Sequence, residues 1–325
     1  MNSRRILVTG AAGFIGSHTV ETLLRQGDTV VGLDNLNDYY DPARKRRNVE
    51  EARQASTRPD QFEFIVGDIR DRGLLQRLFE TGFDAVIHLA AMAGVRASVD
   101  NPWLYYDVNL TGTLNLLDAA RESGRPNFVF ASTSSAYGAT KVVPFVETDP
   151  CDRPLAPYPS SKRAAELLGF SYHHLHALDF TALRFFTVYG PRGRPDMMAY
   201  KVFDNMRVGA EVPLYNGGQM HRDWTYVSDI VAGVVAASHR RLGYEIINLG
   251  RGEPVLLADF VHSLEALAGK SARLTPAPMM DADVAYTYAD ISKAQRLLGY
   301  APAVSVEAGV RSFYDWYLNS VGAFG

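Results

Sequence analysis

The stretch Tyr158-Pro159-Ser160-Ser161-Lys162 places a phenol and an ammonium group four residues apart. Pro159 suits the first position of a helix, because its fixed φ matches the helix and its missing N–H has no partner there. Positions i and i+4 of a helix share a face, so we expect Lys162 to lie near the Tyr158 ring. A tyrosine beside a lysine is a candidate general base.

The electrostatics of this pair are sufficient for such a role. Lowering the pKa of a tyrosine from about 10 to near 7 requires roughly 4 kcal/mol in favour of the phenolate. One positive charge about 4 Å away contributes roughly 4 kcal/mol at an effective dielectric constant of about 20. Lys162 is therefore predicted to lower the pKa of Tyr158. The alternative is a partly buried tyrosine beside a solvated lysine, because Tyr-x-x-x-Lys arises readily by chance.

A glycine-rich turn follows the first apolar run of the chain. Residues 5–9 predict a buried strand, Gly10, Gly13 and Gly16 form a GxxGxxG pattern, and residues 14–25 predict a helix. Strand, glycine turn and helix in this order are the context of a dinucleotide-binding fingerprint, with the pyrophosphate at the helix N-terminus. The alternative is a structural glycine turn.

An acidic residue ends the second predicted strand, residues 29–33. The carboxylate of this residue, Asp34, suits the hydroxyls of an adenosine ribose and repels a 2′-phosphate, so the pattern favours NAD over NADP.

Strand and helix signals alternate through the first part of the chain. Further strands are predicted at residues 62–66, 85–89, 127–131 and 180–183, and helices at 70–80, 102–122 and 160–175. This alternation predicts an α/β fold, a Rossmann-type doubly wound parallel sheet with a smaller C-terminal α/β substrate domain. We predict an NAD-binding domain at 1–189 and a nucleotide-sugar-binding domain at 190–325, with a segment near 225–250 available to rejoin the main sheet.

Ligands of doubly wound sheets bind at the carboxyl ends of the strands, so residues there are expected to share one crevice. The candidate cofactor-binding residues are Gly10, Gly13, Phe14, Ile15, Gly16, Asp34, Asn35, Asp68, Ile69, Leu89, Ala90, Ala91, Tyr158 and Lys162.

Composition excludes several other classes of protein. The 325 residues carry a net charge of −3, which does not favour nucleic acid as a partner. The basic run of residues 44–47 is predicted to be a solvated helix face, and Trp103 is expected to be a packing residue. The single cysteine, Cys151, excludes an intramolecular disulfide and a cysteine-rich metal site. We expect no metal and no membrane segment, and the N-terminus lacks the apolar run of a signal peptide, which favours the cytoplasm.

Three longer stretches carry a family resemblance, at residues 34–42, 184–191 and 221–229. Together with the glycine turn and Tyr158/Lys162, they make the chain similar, essentially end to end, to the extended short-chain dehydrogenase/reductase family. Within it the chain most resembles the UDP-glucuronate 4-epimerases. The resemblance implies tightly held NAD, a homodimer, Tyr158 as the base at the sugar 4-hydroxyl, Lys162 as its partner, and Thr133 as a hydrogen-bond partner of the reacting oxygen.

The turn at residues 132–138 discriminates between relatives. In this turn, dehydratases of the family have a sequence that resembles Ser-Thr-Asp-Glu. The decarboxylases carry Glu where this chain has Ser135. This chain has only hydroxyl groups at these positions, which favours 4-epimerisation of UDP-glucuronate and UDP-galacturonate. Each hydrogen bond from a hydroxyl to the carboxylate of the uronate sugar contributes about 1.5–3 kcal/mol. The alternatives are a UDP-glucose/UDP-galactose 4-epimerase, a UDP-glucuronate decarboxylase, a net oxidoreductase and a non-catalytic NAD-binding protein.

The resemblance also implies contacts to the sugar nucleotide. The candidate substrate-binding residues are Arg96, Thr133, Ser134, Ser135, Thr187, Arg194, Arg222 and Asp283. Relatives often place Arg or Gln where this chain has Met280, so one diphosphate or ribose contact differs here.

Overall fold

A computed structural model describes residues 3–321. The ends of both predicted domains, residues 1–2 and 322–325, lie outside the described residues.

The described chain alternates strands and helices from its start. The strands are β1 (Arg5–Thr9), β2 (Thr29–Asp34), β3 (Phe62–Val66), β4 (Ala85–His88), β5 (Asn127–Thr133), β6 (Phe180–Phe185), β7 (Thr187–Tyr189), β8 (Glu211–Tyr215), β9 (His221–Tyr226), β10 (Tyr244–Leu249), β11 (Pro254–Leu256) and β12 (Arg273–Ala277). The helices are α1 (Phe14–Arg25), α2 (Pro42–Gln54), α3 (Arg72–Phe79), α4 (Val95–Asp100), α5 (Pro102–Tyr106), α6 (Gly112–Glu122), α7 (Pro157–His176), α8 (Met198–Val208), α9 (Val227–Ser238), α10 (Leu257–Ala268), α11 (Ser292–Leu298) and α12 (Val306–Val321).

The main sheet has seven parallel strands in the order β10-β6-β5-β4-β1-β2-β3. The chain winds outward in both directions from β1, so the strand order reverses between β1 and β4. Ligands of such sheets bind in the crevice at this reversal. The predicted fold class is confirmed.

Alternating side chains of the buried strands fill two cores. On β1, Ile6 and Val8 pack on the side of α1 and α9, and Leu7 packs on the side of α3 and α6. Because both faces are covered by helices, the strands are apolar almost throughout, as parallel strands usually are.

The C-terminal part has a core of its own. β11, β9 and β7 form a small sheet, and β12 pairs with β8. The rings of Trp224 and Phe260 stack in this core, with 3.7 Å between their centroids. β10 nevertheless lies at the edge of the main sheet, next to β6. The division of the chain at residue 190 stays a prediction.

Two helices differ from the sequence-based expectation. The helix predicted at 102–122 is α5 and α6 joined by a π-helical turn, Asp107–Thr111, for which the sequence carries no local signal. Helix α7 begins at Pro157 instead of Pro159, so both prolines lie in its first turn, where backbone N–H groups have no partner within the helix. Among residues 3–321, no helix is long and apolar enough to cross a membrane.

Candidate active site

The glycine turn after β1 brings backbone close to backbone. Gly10 has φ +72° and donates its N–H to the Leu33 carbonyl at 2.8 Å. A Cβ on Gly16 would lie 1.9 Å from the Gly10 carbonyl oxygen, so only glycine allows α1 to pack this tightly on the turn.

The N-terminus of α1 opens into a cleft at the carboxyl ends of β1, β2, β4 and β5. Every residue predicted to bind the cofactor lines this cleft, Tyr158 and Lys162 included. Within the described chain, no side chain caps the N-terminus of α1, so its first N–H groups are free to bind an anion. This glycine-lined cradle and its free donors fit the pyrophosphate of a dinucleotide.

Two carboxylates line the cleft at the ends of their strands. Asp34 accepts hydrogen bonds from the N–H groups of Leu36 at 2.8 Å and Ala12 at 3.2 Å, and burial raises its pKa. Asp68 binds Arg70 through both oxygens and accepts from Asn35 at 2.9 Å. The hydrogen bonds from Arg70 hold the pKa of Asp68 at about 2, so Asp68 stays a hydrogen-bond acceptor at neutral pH.

Lys45 corrects the prediction for the basic run of residues 44–47. Its side chain is buried, and its ammonium group donates to the backbone and side-chain oxygens of Asn37 at 2.9 and 2.7 Å. Lys45 lines the cofactor cleft, with Tyr40 packed against the ammonium at 4.9 Å. The sequence pattern of residues 44–47 did not predict the burial of Lys45, because that burial arises where the loop before α2 folds over one turn of the helix.

A second cleft adjoins the first and has a volume of about 500 Å³, within the range of small-molecule sites. It is lined by every residue predicted to bind the substrate: Arg96, Thr133, Ser134, Ser135, Thr187, Arg194, Arg222 and Asp283. The sequence-based prediction missed other residues of its wall, among them Tyr215, Trp224 and Leu257.

Tyr158 lies where the two clefts meet, and Thr133 lines the second of them with it. Burial raises the pKa of Tyr158, and the charge of Arg194 and the Thr133 hydrogen bond oppose the rise. This rise in pKa is opposite to the fall predicted from the sequence. The prediction counted the charge of one cation and left out the loss of solvent around the phenol.

Lys162 is also enclosed, and its ammonium group lies 4.1 Å from the centre of the Phe130 ring. Burial lowers the pKa of Lys162 to about 7, and the charge of Glu166 opposes this effect. Burial therefore disfavours the charged form of Lys162, and the negative charge of Glu166 favours it.

At the far end of the second cleft, Arg96 binds Asp283 at 2.7 Å and lies over the Tyr215 ring at 3.6 Å. Arg222 donates to the backbone carbonyl of His221 at 2.8 Å, and Asp283 also attracts its charge. Asp283 thus binds Arg96 directly and acts on Arg222 only through its charge.

Asn109 was not found from the sequence, although it supports both clefts. It lies in the π-helical turn, accepts from the Met92 N–H at 2.8 Å and donates to the Met92 carbonyl and the Ser161 hydroxyl, each at 3.0 Å. Ser161 in turn donates to the Tyr158 carbonyl at 2.8 Å. The π turn therefore ties the loop after β4 to the start of α7.

Residues 6–250 match the model of the NAD dependent epimerase/dehydratase family. The chain belongs to this family. A relative from Thermodesulfobacterium geofontis (strain OPF15), a UDP-glucuronate 4-epimerase, is 46% identical over 97% of this chain and 96% of its own length.

Solved structures of the family have the same fold. The crystal structure of UDP-glucuronic acid 4-epimerase from Bacillus cereus, in complex with UDP-glucuronic acid and NAD, is 36% identical, with a TM-score of 0.89 and coverage of 97% of this chain and 99% of its own. UDP-glucose 4-epimerase from Thermotoga maritima is 31% identical, with a TM-score of 0.88 and coverage of 98% and 99%. Because these TM-scores are nearly equal, the fold alone does not choose between the two substrates.

Proposed function

We propose that the protein interconverts UDP-glucuronate and UDP-galacturonate at carbon 4, using bound NAD, through a 4-keto intermediate. The full-length similarity to UDP-glucuronate 4-epimerases supports the substrate and the reaction class. The reaction is an isomerisation, because the hydride removed from carbon 4 returns to the same atom on its other face.

The observation that carries this proposal is the hydroxyl-lined wall opposite Tyr158. Thr133, Ser134, Ser135 and Thr187 line the same cleft as the phenol, and the turn between Thr133 and Ser135 offers hydroxyls where dehydratases and decarboxylases of the family carry acids. Hydroxyl donors suit a uronate carboxylate, and each such hydrogen bond contributes about 1.5–3 kcal/mol. A 4-keto glucuronate is a β-keto acid that loses carbon dioxide readily, so fixing its carboxylate protects the intermediate.

The proton chemistry is assigned to Tyr158. Its oxygen takes the proton of the sugar 4-hydroxyl and gives it back when the carbonyl is reduced. The charge of Arg194 and the side chain of Thr133 both oppose the rise in the pKa of Tyr158 that burial produces. When bound, NAD supplies the hydride acceptor and donor.

The first cleft is the proposed cofactor site. The glycine turn and the N–H groups of α1 would hold the pyrophosphate, and Asp34 would accept hydrogen bonds from the adenosine ribose. Lys162, on the floor of the cleft, would bind the nicotinamide ribose. Arg96 and Arg222 are the proposed diphosphate contacts of the sugar nucleotide.

The nearest alternative is the same reaction on UDP-glucose and UDP-galactose, which the similarity to such an epimerase keeps open. Proton NMR of the protein with UDP-glucuronate, without added NAD, separates the possibilities. We expect UDP-galacturonate to appear, which requires that NAD remain bound through purification. A UDP-pentose product would indicate a decarboxylase, and turnover of UDP-glucose alone would contradict the proposed substrate.

We also infer a homodimer formed through α5, α6 and α7. These neighbouring helices carry large apolar side chains that remain exposed, Trp103 at 85%, Leu167 at 53% and Phe170 at 50%. Trp103 therefore does not pack within the chain as predicted. Exposed apolar clusters on helix faces mark protein interfaces, and a second copy covers the face symmetrically.

Light scattering at micromolar concentration tests this inference, and we expect twice the mass of one chain. Leu167→Glu should give monomers, because it buries a charge in the interface. Val208→Glu is the matched control, since Val208 is 64% exposed on α8 and should leave the dimer intact. A monomeric wild-type protein contradicts the inference.

The cytoplasm is the proposed compartment. Cys151 is buried and unpaired, which suits a reducing environment. A UDP-sugar and NAD are the proposed small-molecule partners, and nucleic acid and membranes are not proposed as partners.

A further inference from the structure

Helix α7 carries a third functional group on the face of Tyr158 and Lys162. Glu166 lies one helical turn beyond Lys162, and its side chain has no exposure to solvent. A fully buried carboxylate needs compensation by several donors.

The carboxylate of Glu166 receives hydrogen bonds from three elements. Ser132, on β5, donates its hydroxyl at 2.5 Å, and Arg184, on β6, donates from Nε and Nη2 at 2.9 and 2.8 Å. Arg163, on the same helix, donates at 3.0 Å. The guanidinium of Arg184 is itself fully buried and lies over the Tyr137 ring at 4.7 Å. Glu166 therefore joins the carboxyl end of β5 to β6 and to α7.

These hydrogen bonds to Glu166 set the position of the hydroxyl-lined turn at residues 132–135. Ser132 immediately precedes Thr133, whose hydroxyl oxygen accepts from the Ser135 N–H at 3.1 Å and whose side chain lines the second cleft together with Tyr158. Fixing Ser132 to α7 fixes the distance between the turn and the phenol. A bidentate guanidinium–carboxylate pair restricts both distance and angle, so it suits this role.

Glu166 and Lys162 are both buried and lie one turn apart on α7. Burial lowers the pKa of Lys162 to about 7, and the charge of Glu166 opposes that effect. Tyr158 and Arg194 line the same cleft as Lys162, and the charge of Lys162 acts on His88, on β4. Arg184 lies on the other side of Glu166, which it binds. His88 is buried and neutral, because burial and the charge of Lys162 hold its pKa well below its usual value.

We propose that Glu166 is a positioning residue for Tyr158 and Lys162, which holds the Ser132–Ser135 turn against α7 and supplies the negative charge that keeps Lys162 an ammonium. Its effect on turnover rests on the proposed epimerase function. Its effect on Lys162 does not, so the two are tested separately.

The direct test is the titration of Lys162 in protein labelled with ¹³C at the lysine ε-carbon. The chain has only six lysines, so the Lys162 signal can be assigned with a Lys162→Met variant. In the wild-type protein we expect the signal to titrate near pH 7. In Glu166→Gln we expect the midpoint to fall by at least one pH unit, because the negative charge of Glu166 is gone.

Glu166→Gln leaves the Arg184 charge buried without its partner and can fail to fold. The decisive variant is therefore Glu166→Gln/Arg184→Met, which removes both buried charges and keeps similar volumes. We expect it to fold and to lose at least tenfold in kcat at pH 7 relative to the wild-type protein. Its Lys162 midpoint should lie at least one pH unit below that of Arg184→Met, which differs from it only in the Glu166 charge and keeps the Glu166 contacts to Ser132 and Arg163. Ser132→Ala, which removes only the hydrogen bond from the turn, should lower kcat and leave the Lys162 midpoint within about 0.3 pH units.

The outcomes separate the two proposals. A folded double variant with the same Lys162 midpoint as Arg184→Met overturns the electrostatic role of Glu166, whatever the reaction. If the wild-type protein fails to epimerise UDP-glucuronate while the Lys162 midpoint shifts as expected, the proposed function fails and the electrostatic role of Glu166 stands.

Discussion

Arg194 binds both carboxylate oxygens of Asp196, each at 2.9 Å, beside Tyr158 at the junction of the two clefts. The guanidinium thus lines both the proposed cofactor site and the proposed substrate site. Its charge, together with the Thr133 hydrogen bond, opposes the rise in the Tyr158 pKa that burial produces. Arg194 is therefore placed to affect the proton chemistry of Tyr158 as well as to bind substrate.

Arg194→Ala should raise the pKa of Tyr158 further, because the opposing cation is lost and Asp196 remains. We expect kcat to fall by about one to two orders of magnitude at neutral pH. Absorbance titration at 295 nm, with a Tyr158→Phe background subtracted, measures the phenol directly. Asp196→Asn is the matched control, since it keeps the Arg194 charge and should leave the Tyr158 pKa at or below the wild-type value. Equal upward shifts in both variants would contradict an electrostatic role of Arg194.

Tyr158→Phe should lower kcat by about 10²–10⁴-fold, since it removes the proposed general base and leaves the clefts intact. Binding of UDP-glucuronate and retention of NAD should change little, which calorimetry and the absorbance of the purified protein check. Tyr106→Phe is the control, because Tyr106 lies outside both clefts and its hydroxyl bonds Ser160 at 2.7 Å. Full turnover by the Tyr158 variant would favour another base or a non-catalytic protein.

Thr187→Val keeps the shape of the side chain and removes a hydroxyl that lines the substrate cleft. Loss of one hydrogen bond to a carboxylate costs about 1.5–3 kcal/mol, which corresponds to a roughly ten- to hundredfold weaker affinity for UDP-glucuronate. UDP-glucose has no carboxylate, so its affinity should change less than about threefold. Isothermal titration with both ligands makes the comparison within one variant. Equal losses of affinity for the two ligands would show that Thr187 does not bind the uronate carboxylate.

The parallel sheet and the gathering of the candidate residues in one crevice followed from the sequence, because the carboxyl ends of parallel strands meet at one edge of the sheet. Gly10, Asp34 and Tyr158 are far apart in the chain, yet each ends or follows a predicted strand or opens a predicted helix, and all three line one cleft. The functional roles of the individual residues stay predictions.

Features that depend on the three-dimensional surroundings of a residue could not be predicted from the sequence. The pKa of Tyr158 depends on how much solvent is lost, which no spacing of residues reports. Lys45 is buried because a loop folds over α2, and Asn109 reaches two elements because a π turn shifts the helix register. Glu166 continues the i, i+4 spacing of Tyr158 and Lys162, so its place on their helix face was predictable from the sequence.

His18 predicts how stability depends on pH. Its Nε2 atom bonds the Pro191 carbonyl at 2.9 Å, and burial, together with the charge of Arg192, lowers its pKa from 6.5 to about 4. Between these values the unfolded chain binds a proton that the folded chain does not, so stability should fall as pH falls from 6.5 to 4. Since His18 is only partly buried, we expect a loss of about 1–3 kcal/mol in the free energy of unfolding.

Urea denaturation at pH 7.5 and pH 4.5 measures this loss. In His18→Gln, which has no titrating ring and keeps a donor for Pro191, the difference between the two pH values should shrink by about 1–3 kcal/mol relative to the wild-type protein. His262→Gln is the control, because its imidazole is exposed on α10 and should leave the wild-type difference in place. If His18→Gln retains the full loss of stability at low pH, other titratable groups account for that loss. The contact between His18 and Pro191 would then not be the cause of the acid sensitivity.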